Sequence, residues 1–208
     1  VKIAQRYTDR VIQHPFDDYA SQRNFALEQA QGEWVLFVDA DERVTPELRD
    51  EIKQRLDEAP RFNGFWIPRR NIILGRWLRH GGNYPDYQLR LWRREKGRYK
   101  RIIHERPEIA GPVGYLEHDL IHLSYDSISD IVSKSNRYTD LEARQLHTEG
   151  RCWHWWDIIL KPAWVLLDGL ILRGAWRDGW QGTVYTMLRA FSMFLKYAKY
   201  RELLAWQR

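Results

Sequence analysis

The first third of the chain combines a helical repeat with one continuous apolar run. Residues 21–30 place apolar side chains at helical spacing, and Ser21 is positioned to cap that helix. Residues 34–38 are uniformly apolar, which is typical of a strand covered on both faces in a parallel sheet. Three carboxylates follow this run: Asp39, Asp41 and Glu42.

The rest of the chain continues to alternate between strand and helix patterns. Thr45 and Pro46 supply a cap and a first helical residue for a helix that ends near Glu58. Strands are predicted within residues 63–74, 87–93 and 120–125, and helices within 127–147 and 183–206. The adjacent Arg69 and Arg70 could face phosphates or solvent, and solvent is the favoured interpretation. The pattern predicts an α/β fold.

The spacing of Asp39 and Asp41 is the first chemical signal. Ligands of open α/β sheets bind beyond the carboxyl ends of the strands, and both carboxylates lie just past a predicted strand. Two carboxylates with phosphate oxygens and water suit a hard cation such as Mg²⁺ or Mn²⁺. A solvated acidic turn is the alternative, and the buried strand before the turn favours the ligand site.

Two segments resemble a known family. They are Arg23-Asn24-x-Ala26-Leu27 and the run from Ala30 to Asp41-Glu42. Both resemble glycosyltransferase family 2, most closely the branch containing lipopolysaccharide core β-glucosyltransferases. The resemblance extends through His122 and, more loosely, to the carboxyl terminus.

The resemblance implies a GT-A fold, a Rossmann-like sheet that binds nucleotide-diphospho-sugars. Members begin with a strand, a helix and a second strand, whereas this sequence opens on residues 1–7, which have the pattern of a helix end. We therefore expect a fragment lacking roughly the first forty family residues, the size of a βαβ unit. Residues 1–126 are predicted to form the partial catalytic domain and residues 127–208 a helical, membrane-associating region.

The resemblance also implies a donor site and a metal site. Arg23, Asn24, Asp39 and Asp41 are the expected donor-binding residues, although Arg23 could instead be a surface residue and Asn24 could instead hold the loop. Asp41, Asp39 and His104 are the expected ligands of Mg²⁺ or Mn²⁺, and His122 is the rival third ligand to His104.

Two carboxylates are candidates for the general base. Asp86, in the segment Tyr84-Pro85-Asp86-Tyr87-Gln88, resembles the base-carrying segment of the lipopolysaccharide branch. The family's usual Glu-Asp pair is absent there, so a turn-capping role for Asp86 stays open. Glu105, which follows His104, is the alternative base.

Charge and aromatic residues are concentrated at the carboxyl end. Residues 1–150 carry 24 basic and 24 acidic side chains, so the net charge of +5 arises in residues 151–208, which also hold seven of the eleven Trp. This composition suits an anionic membrane surface, and no groove-reading motif favours nucleic acid. No window of about eighteen uncharged apolar residues is present. The helices are therefore expected to lie in the membrane interface, with packing on the catalytic core as the alternative.

The combined expectation is an inverting, metal-dependent hexosyltransferase. The resemblance implies UDP-glucose as donor and a lipid-linked saccharide, such as the lipopolysaccharide inner core, as acceptor. The single Cys152 fits a reducing compartment, and the expected location is the inner face of the bacterial cytoplasmic membrane. A non-catalytic membrane-associated domain that retains the fold is the alternative. A nucleotidyltransferase would need a Gly-rich phosphate loop, which the sequence lacks.

Overall fold

The computed structural model describes residues 1–58, 61–100 and 106–205. The chain forms two compact units. Unit 1 comprises Val1–Phe37, Lys53–Ile67 and Leu89–Leu116. Unit 2 comprises Val38–Ile52, Pro68–Gln88 and Glu117–Arg208. The division between residues 126 and 127 stays a prediction.

Strands and helices alternate along the described chain, as the sequence pattern predicts. The α-helices are α1 (Tyr19–Gln29), α2 (Pro46–Asp57), α3 (Ile128–Thr148), α4 (Asp157–Leu166) and α5 (Gly179–Ala205). The strands are β1 (Trp34–Leu36), β2 (Glu42–Val44), β3 (Gly64–Ile73), β4 (Arg76–Trp77), β5 (Asp86–Arg93), β6 (Gly97–Lys100), β7 (Arg106–Ile109), β8 (Val113–Tyr115) and β9 (Leu120–Tyr125). A π-helical turn (Leu167–Leu172) and a 3₁₀ turn (Ala175–Asp178) lie between α4 and α5.

The helix predicted for residues 21–30 is present, but its cap differs. The side chain of Asp18 caps α1 by accepting hydrogen bonds from Ser21 N and Ser21 Oγ, at 2.9 and 2.6 Å. Ser21 is therefore inside the first turn, and the prediction that it is the cap is wrong. Asp18 makes the better cap because its carboxylate satisfies a free N–H group of the first turn with a full charge.

Strand β1 pairs differently from the expectation. It is antiparallel to the end of β5, with Val35 opposite Trp92. Only Val35 of the three β1 residues is buried, so the strand is not covered on both faces as expected. Its buried side packs in a cluster of Ala20, Leu27, Val35, Trp92 and Tyr99.

Unit 2 contains both parallel and antiparallel strand pairs. Residues of β3 from Arg69 onward run parallel to β9, and β9 runs antiparallel to β2. Thr45 Oγ1 accepts a hydrogen bond from Leu48 N at 3.1 Å and α2 begins at Pro46, which confirms the predicted cap. The register places Asn71 of β3 and Glu42 of β2 beside His122 of β9.

The carboxyl-terminal helices form their own core. Ala143 and Leu146 of α3 pack against Tyr197 and Tyr200 of α5. A Cβ on Gly169 would lie 2.6 Å from the Thr186 methyl group, so the backbones approach closely at this point only because the residue is glycine. Within the described residues, no helix is long and apolar enough to cross a bilayer.

Candidate functional site

The acidic turn that follows β1 is held by one of its own carboxylates. Glu42 is 3% exposed, and its Oε2 accepts a hydrogen bond from Asp39 N at 2.8 Å. Glu42 N donates in return to Asp39 O at 2.9 Å. Glu42 therefore fixes the turn, and the part-exposed carboxylate of Asp41 is left at the surface.

Asp41 lies beside His122, the predicted rival of His104 as the third metal ligand. The distance from His122 Nε2 to Asp41 Oδ2 is 3.4 Å. Asp41 is also fixed through its backbone, because Leu123 N donates to Asp41 O at 2.8 Å. The pairing of β2 with β9 thus brings a carboxylate and an imidazole together.

The tautomer of His122 follows from its hydrogen-bond network. Asn71 Nδ2 donates to Asp86 Oδ2 at 3.0 Å, so Asn71 Oδ1 is the acceptor that faces His122 Nδ1, 2.7 Å away. Nδ1 therefore carries the proton. Burial and the charge of Arg69 lower the pKa of His122 despite the opposing effect of Asp41. The neutral ring thus points an unprotonated Nε2 at Asp41.

A divalent cation fits this arrangement chemically. Two acceptor atoms, an imidazole nitrogen and a carboxylate oxygen, face each other and would both be satisfied by one cation. Within the part of the chain that the structure describes, no three His, Cys, Asp or Glu side chains gather as a metal site. Mg²⁺ and Mn²⁺ accept such a small set because water and substrate phosphates complete their coordination.

Asp86, the candidate base, is the most heavily hydrogen-bonded carboxylate of the site. Arg69 donates to its Oδ2 from Nε at 2.9 Å and from Nη2 at 2.7 Å, and Gln88 Nε2 donates to Oδ1 at 2.7 Å. Burial alone would raise the pKa of Asp86. The hydrogen bond from Asn71 and the charge and hydrogen bonds of Arg69 outweigh burial, so the pKa is lowered.

The two halves of the site are joined by Arg69 and Asn71. Arg69 reaches Asp86 and also Glu42, whose Oε1 lies 3.4 Å from Nη1. Asn71 bridges Asp86 and His122. The structure therefore brings Asp41, His122 and Asp86 into one polar network.

The prediction that Arg69 and Arg70 face solvent is wrong for Arg69, whose side chain is only 19% exposed. Arg70, on the opposite face of β3, donates to Asp119 Oδ2 at 2.7 Å, and Tyr84 Oη donates to Oδ1 of the same carboxylate at 2.9 Å. Burial beside carboxylates drives this pairing, because a partly buried guanidinium needs a counter-charge.

The predicted donor-binding residues Arg23 and Asn24 lie in unit 1. Asn24 Nδ2 donates to Tyr99 O and Asn24 Oδ1 accepts from Tyr99 N, both at 2.9 Å. The Asn24 side chain therefore joins α1 to β6 in the way that a strand backbone would. The Arg23 guanidinium lies 5.3 Å from the centre of the Tyr99 ring. Their donor-binding role stays a prediction, as does that of Asp39.

The predicted residues His104 and Glu105 lie outside the described residues. Their assigned roles as metal ligand and alternative base stay predictions.

A loop before Asp86 is fastened to the carboxyl-terminal segment by residues that sequence analysis missed. Asp178 is 3% exposed and accepts from His80 N and binds His80 Nδ1, both at 2.7 Å. Gly81 N donates to Arg173 O, and Arg189 Nη1 donates to Gly81 O, both at 3.0 Å. The sequence feature that could have indicated this contact is the position of the charged Asp178 between Trp176 and Trp180.

Large apolar side chains are exposed throughout residues 155–194, which we call the exposed apolar segment. Trp176 and Trp180 flank the buried Asp178 and are 64% and 58% exposed. The other exposed members include Trp155, Trp156, Ile159, Leu160, Trp164, Ile171, Leu172, Met187 and Phe191. Single exposed apolar residues are normal, but a concentration of this size is typical of an interaction surface.

Comparison with known proteins finds a family model and several relatives that match this chain. A family model described as glycosyl transferase family 2 matches residues 1–114. The lipopolysaccharide core biosynthesis glycosyltransferase LpsC of Rhizobium meliloti is 31% identical over 205 residues, which covers 95% of this chain and 76% of that protein. An uncharacterized glycosyltransferase of Rickettsia typhi is 26% identical over 98% of this chain and 74% of its own. One of Rickettsia felis is 26% identical over 97% and 76%.

Proposed function

Because the chain belongs to glycosyltransferase family 2, we propose that it transfers a hexose from a nucleotide-sugar donor to a lipid-linked saccharide, with inversion and with a divalent cation. The mixed α/β structure is consistent with the Rossmann-like GT-A fold. A transferase of this family uses a nucleotide-sugar donor and an acceptor. UDP-glucose and the lipopolysaccharide inner core are the specific substrates we propose, the latter supported by the name of the LpsC relative.

The observation that carries the proposal is the network linking Asp41, His122 and Asp86 through Asn71. A transferase of this kind needs a cation near the leaving diphosphate and a base near the acceptor hydroxyl. Asp41 and His122 present two acceptor atoms for the cation, and Asp86 is an ionised carboxylate in the same network. Asp39 is proposed to reach the ribose or a cation-bound water.

In the proposed reaction, Asp86 accepts the proton of the acceptor hydroxyl as that oxygen attacks the donor anomeric carbon. General base catalysis of this type contributes about 10²–10⁴ in rate. Arg69 and Asn71 hold the Asp86 carboxylate in place. The cation would supply charge neutralisation for the departing diphosphate. Glu105 is the alternative base.

The exposed apolar segment supports a location on the inner face of the cytoplasmic membrane. Trp and Tyr favour the interfacial zone of a bilayer, and basic residues favour its anionic lipids. Arg173 and Arg177 are exposed and lie within three residues of the exposed Trp176 in the sequence. A lipid-linked acceptor is available only at such a surface.

The test is a screen of nucleotide sugars with the full-length protein and a lipid-linked acceptor. Released nucleoside diphosphate is measured with and without a chelator. We expect turnover with UDP-glucose that is lost on chelation and lost in Asp41→Asn but not in Asp50→Asn, an exposed acid of α2. Absence of turnover with every donor would favour the non-catalytic alternative.

A further inference from the structure

A cavity of about 410 Å³ in unit 2 has Asp41 in its lining. It is lined by the end of β9, the loop that follows and one side of α3, including Tyr125, Lys134 and Arg137. Ligand sites of proteins have volumes of about 300–1,000 Å³, so the space suits a small polar ligand. The residues proposed for the cation and the base leave Lys134 and Arg137 without a role.

Lys134 differs from the other part-buried lysines of the helical segments. Lys161 lies 3.3 Å from Asp157, Lys196 lies 3.6 Å from Glu142 and Lys199 lies 2.7 Å from Asp140. Among residues 1–58, 61–100 and 106–205, no carboxylate oxygen lies within 4 Å of Lys134 Nζ.

The Lys134 ammonium instead lies 4.7 Å from the centre of the Tyr125 ring, which lines the same cavity. Burial raises the pKa of Tyr125 to about 12, so its hydroxyl stays protonated at neutral pH. A part-buried ammonium with hydrogen-bond donors to spare is stabilised when an anion binds beside it.

Arg137 places a second cation on the same side of α3 as Lys134. It lies three residues after Lys134, so both side chains project from neighbouring positions on one side of α3. No ion pair of Arg137 occurs within the described part of the chain. Of the nearby acids, Asp130 is engaged at the helix start, where its Oδ2 accepts from Ser127 Oγ at 2.6 Å. Asp126 also lines the cavity and is exposed.

We infer that this cavity is a phosphate-binding subsite in which Lys134 and Arg137 contact the phosphoryl oxygens of a substrate. The inference rests on the proposed function, which supplies two sources of phosphate. One is the donor diphosphate, and the other is a phosphate group on the lipid-linked acceptor. Phosphate is the group that matches two adjacent cations, since it offers several acceptor oxygens and more than one charge.

The first experiment measures binding without any transfer reaction. Pyrophosphate is titrated calorimetrically into the full-length protein with and without Mg²⁺, for wild type, Lys134→Gln, Arg137→Gln and Lys134→Arg. We expect Lys134→Gln to weaken binding about tenfold, Arg137→Gln to weaken it less, and Lys134→Arg to retain most of it. The control is Arg144→Gln, an exposed residue of α3 that does not line the cavity. Equal binding by Lys134→Gln and Arg144→Gln would overturn the inference.

The second experiment determines whether the bound phosphate belongs to the donor or to the acceptor. If the subsite holds the donor, Lys134→Gln raises the Kd for the nucleoside diphosphate and leaves the KM for a phosphorylated acceptor unchanged. If it holds the acceptor, the KM rises for the phosphorylated acceptor and not for its dephosphorylated form. If Lys134→Gln loses pyrophosphate binding and the wild-type protein shows no transfer activity, the proposed function is refuted and the phosphate-binding subsite is retained. Thermal unfolding distinguishes a structural role of Lys134 from a role in binding. If Lys134 acts in binding, Lys134→Gln is expected to change Tm by less than about 3 °C.

Discussion

Arg69 donates two hydrogen bonds to a single oxygen of Asp86, from Nε at 2.9 Å and from Nη2 at 2.7 Å. Of the two Asp86 oxygens, the guanidinium therefore contacts only Oδ2, and Gln88 donates to Oδ1 at 2.7 Å. The carboxylate is ionised at neutral pH, because its pKa is lowered despite burial. Oδ1 accepts one hydrogen bond from Gln88 and, as a carboxylate oxygen with two lone pairs, can accept a second.

Arg69→Gln should move the acid limb of the pH–rate profile to higher pH. Wild-type Asp86 stays ionised to low pH because its pKa is lowered, and the variant loses the charge and the two hydrogen bonds of Arg69 that contribute to this. The pKa of Asp86 then rises, and the base is protonated at a higher pH than in the wild type. The profile of kcat/KM against pH measures the shift, with Arg49→Gln on the surface of α2 as control. An unmoved acid limb would show that another group is titrating.

Asp86→Asn should reduce kcat by about 10²–10⁴, the usual contribution of a general base. The KM values should change less, because the amide retains much of the shape of the carboxylate. The rates are measured at saturating donor and acceptor, and the matched control is Asp50→Asn. A nearly unchanged kcat would transfer the role of base to Glu105.

The elements that local signals specify could be predicted from the sequence. Thr45 and Pro46 mark the start of α2, and the apolar run before Asp39 marks β1. The parallel pairing expected for β1 was wrong, because an apolar run indicates burial and does not identify the neighbouring strand. The antiparallel pairing of β1 with β5 is a property of the tertiary structure.

The candidate site was only partly predictable, because it too depends on which strands pair in the tertiary structure. Arg69 and Asn71 lie two residues apart on β3, so they share one face, and Arg70 lies on the other. Three consecutive polar residues give no alternation that would identify the buried face. The parallel register of β3 with β9, which sets Asn71 opposite His122, depends on residues about fifty positions apart and leaves no local trace.

Asp41→Asn and His122→Ala should each weaken Mn²⁺ binding, and Asn71→Ala should weaken it as well. Asn71 contacts no cation in this scheme but fixes the tautomer of His122, and partners of this kind typically contribute about 10–100-fold in metal affinity. The measurement is electron paramagnetic resonance of free Mn²⁺ during titration of the full-length protein. If Asn71→Ala and His122→Ala both bound Mn²⁺ as tightly as wild type, His104 would be the better third ligand.

Asp178→Ala should lower stability more than Asp168→Asn. Asp178 is buried and accepts from two donors of His80, so its loss leaves part-buried donors of His80 unsatisfied at about 1–3 kcal/mol. Asp168 pairs with Arg173 at a more exposed site, and surface pairs contribute about 0–1 kcal/mol. Chemical denaturation of both variants measures the difference. Equal stabilities would mean that His80 finds a new partner or that the loop holds without it.

Trp176→Ser combined with Trp180→Ser should weaken membrane binding without unfolding the protein. Both indoles are mostly exposed, so the folded protein loses little packing, whereas a bilayer would lose two interfacial Trp anchors. Sedimentation with vesicles containing anionic lipid should show a decrease of about tenfold in the partition constant, with a smaller decrease for Arg177→Gln in the same segment. The control is Tyr115→Ser, an exposed aromatic residue of β8 in unit 1. If the double variant bound vesicles as well as Tyr115→Ser, the exposed apolar segment would have to serve a protein partner instead.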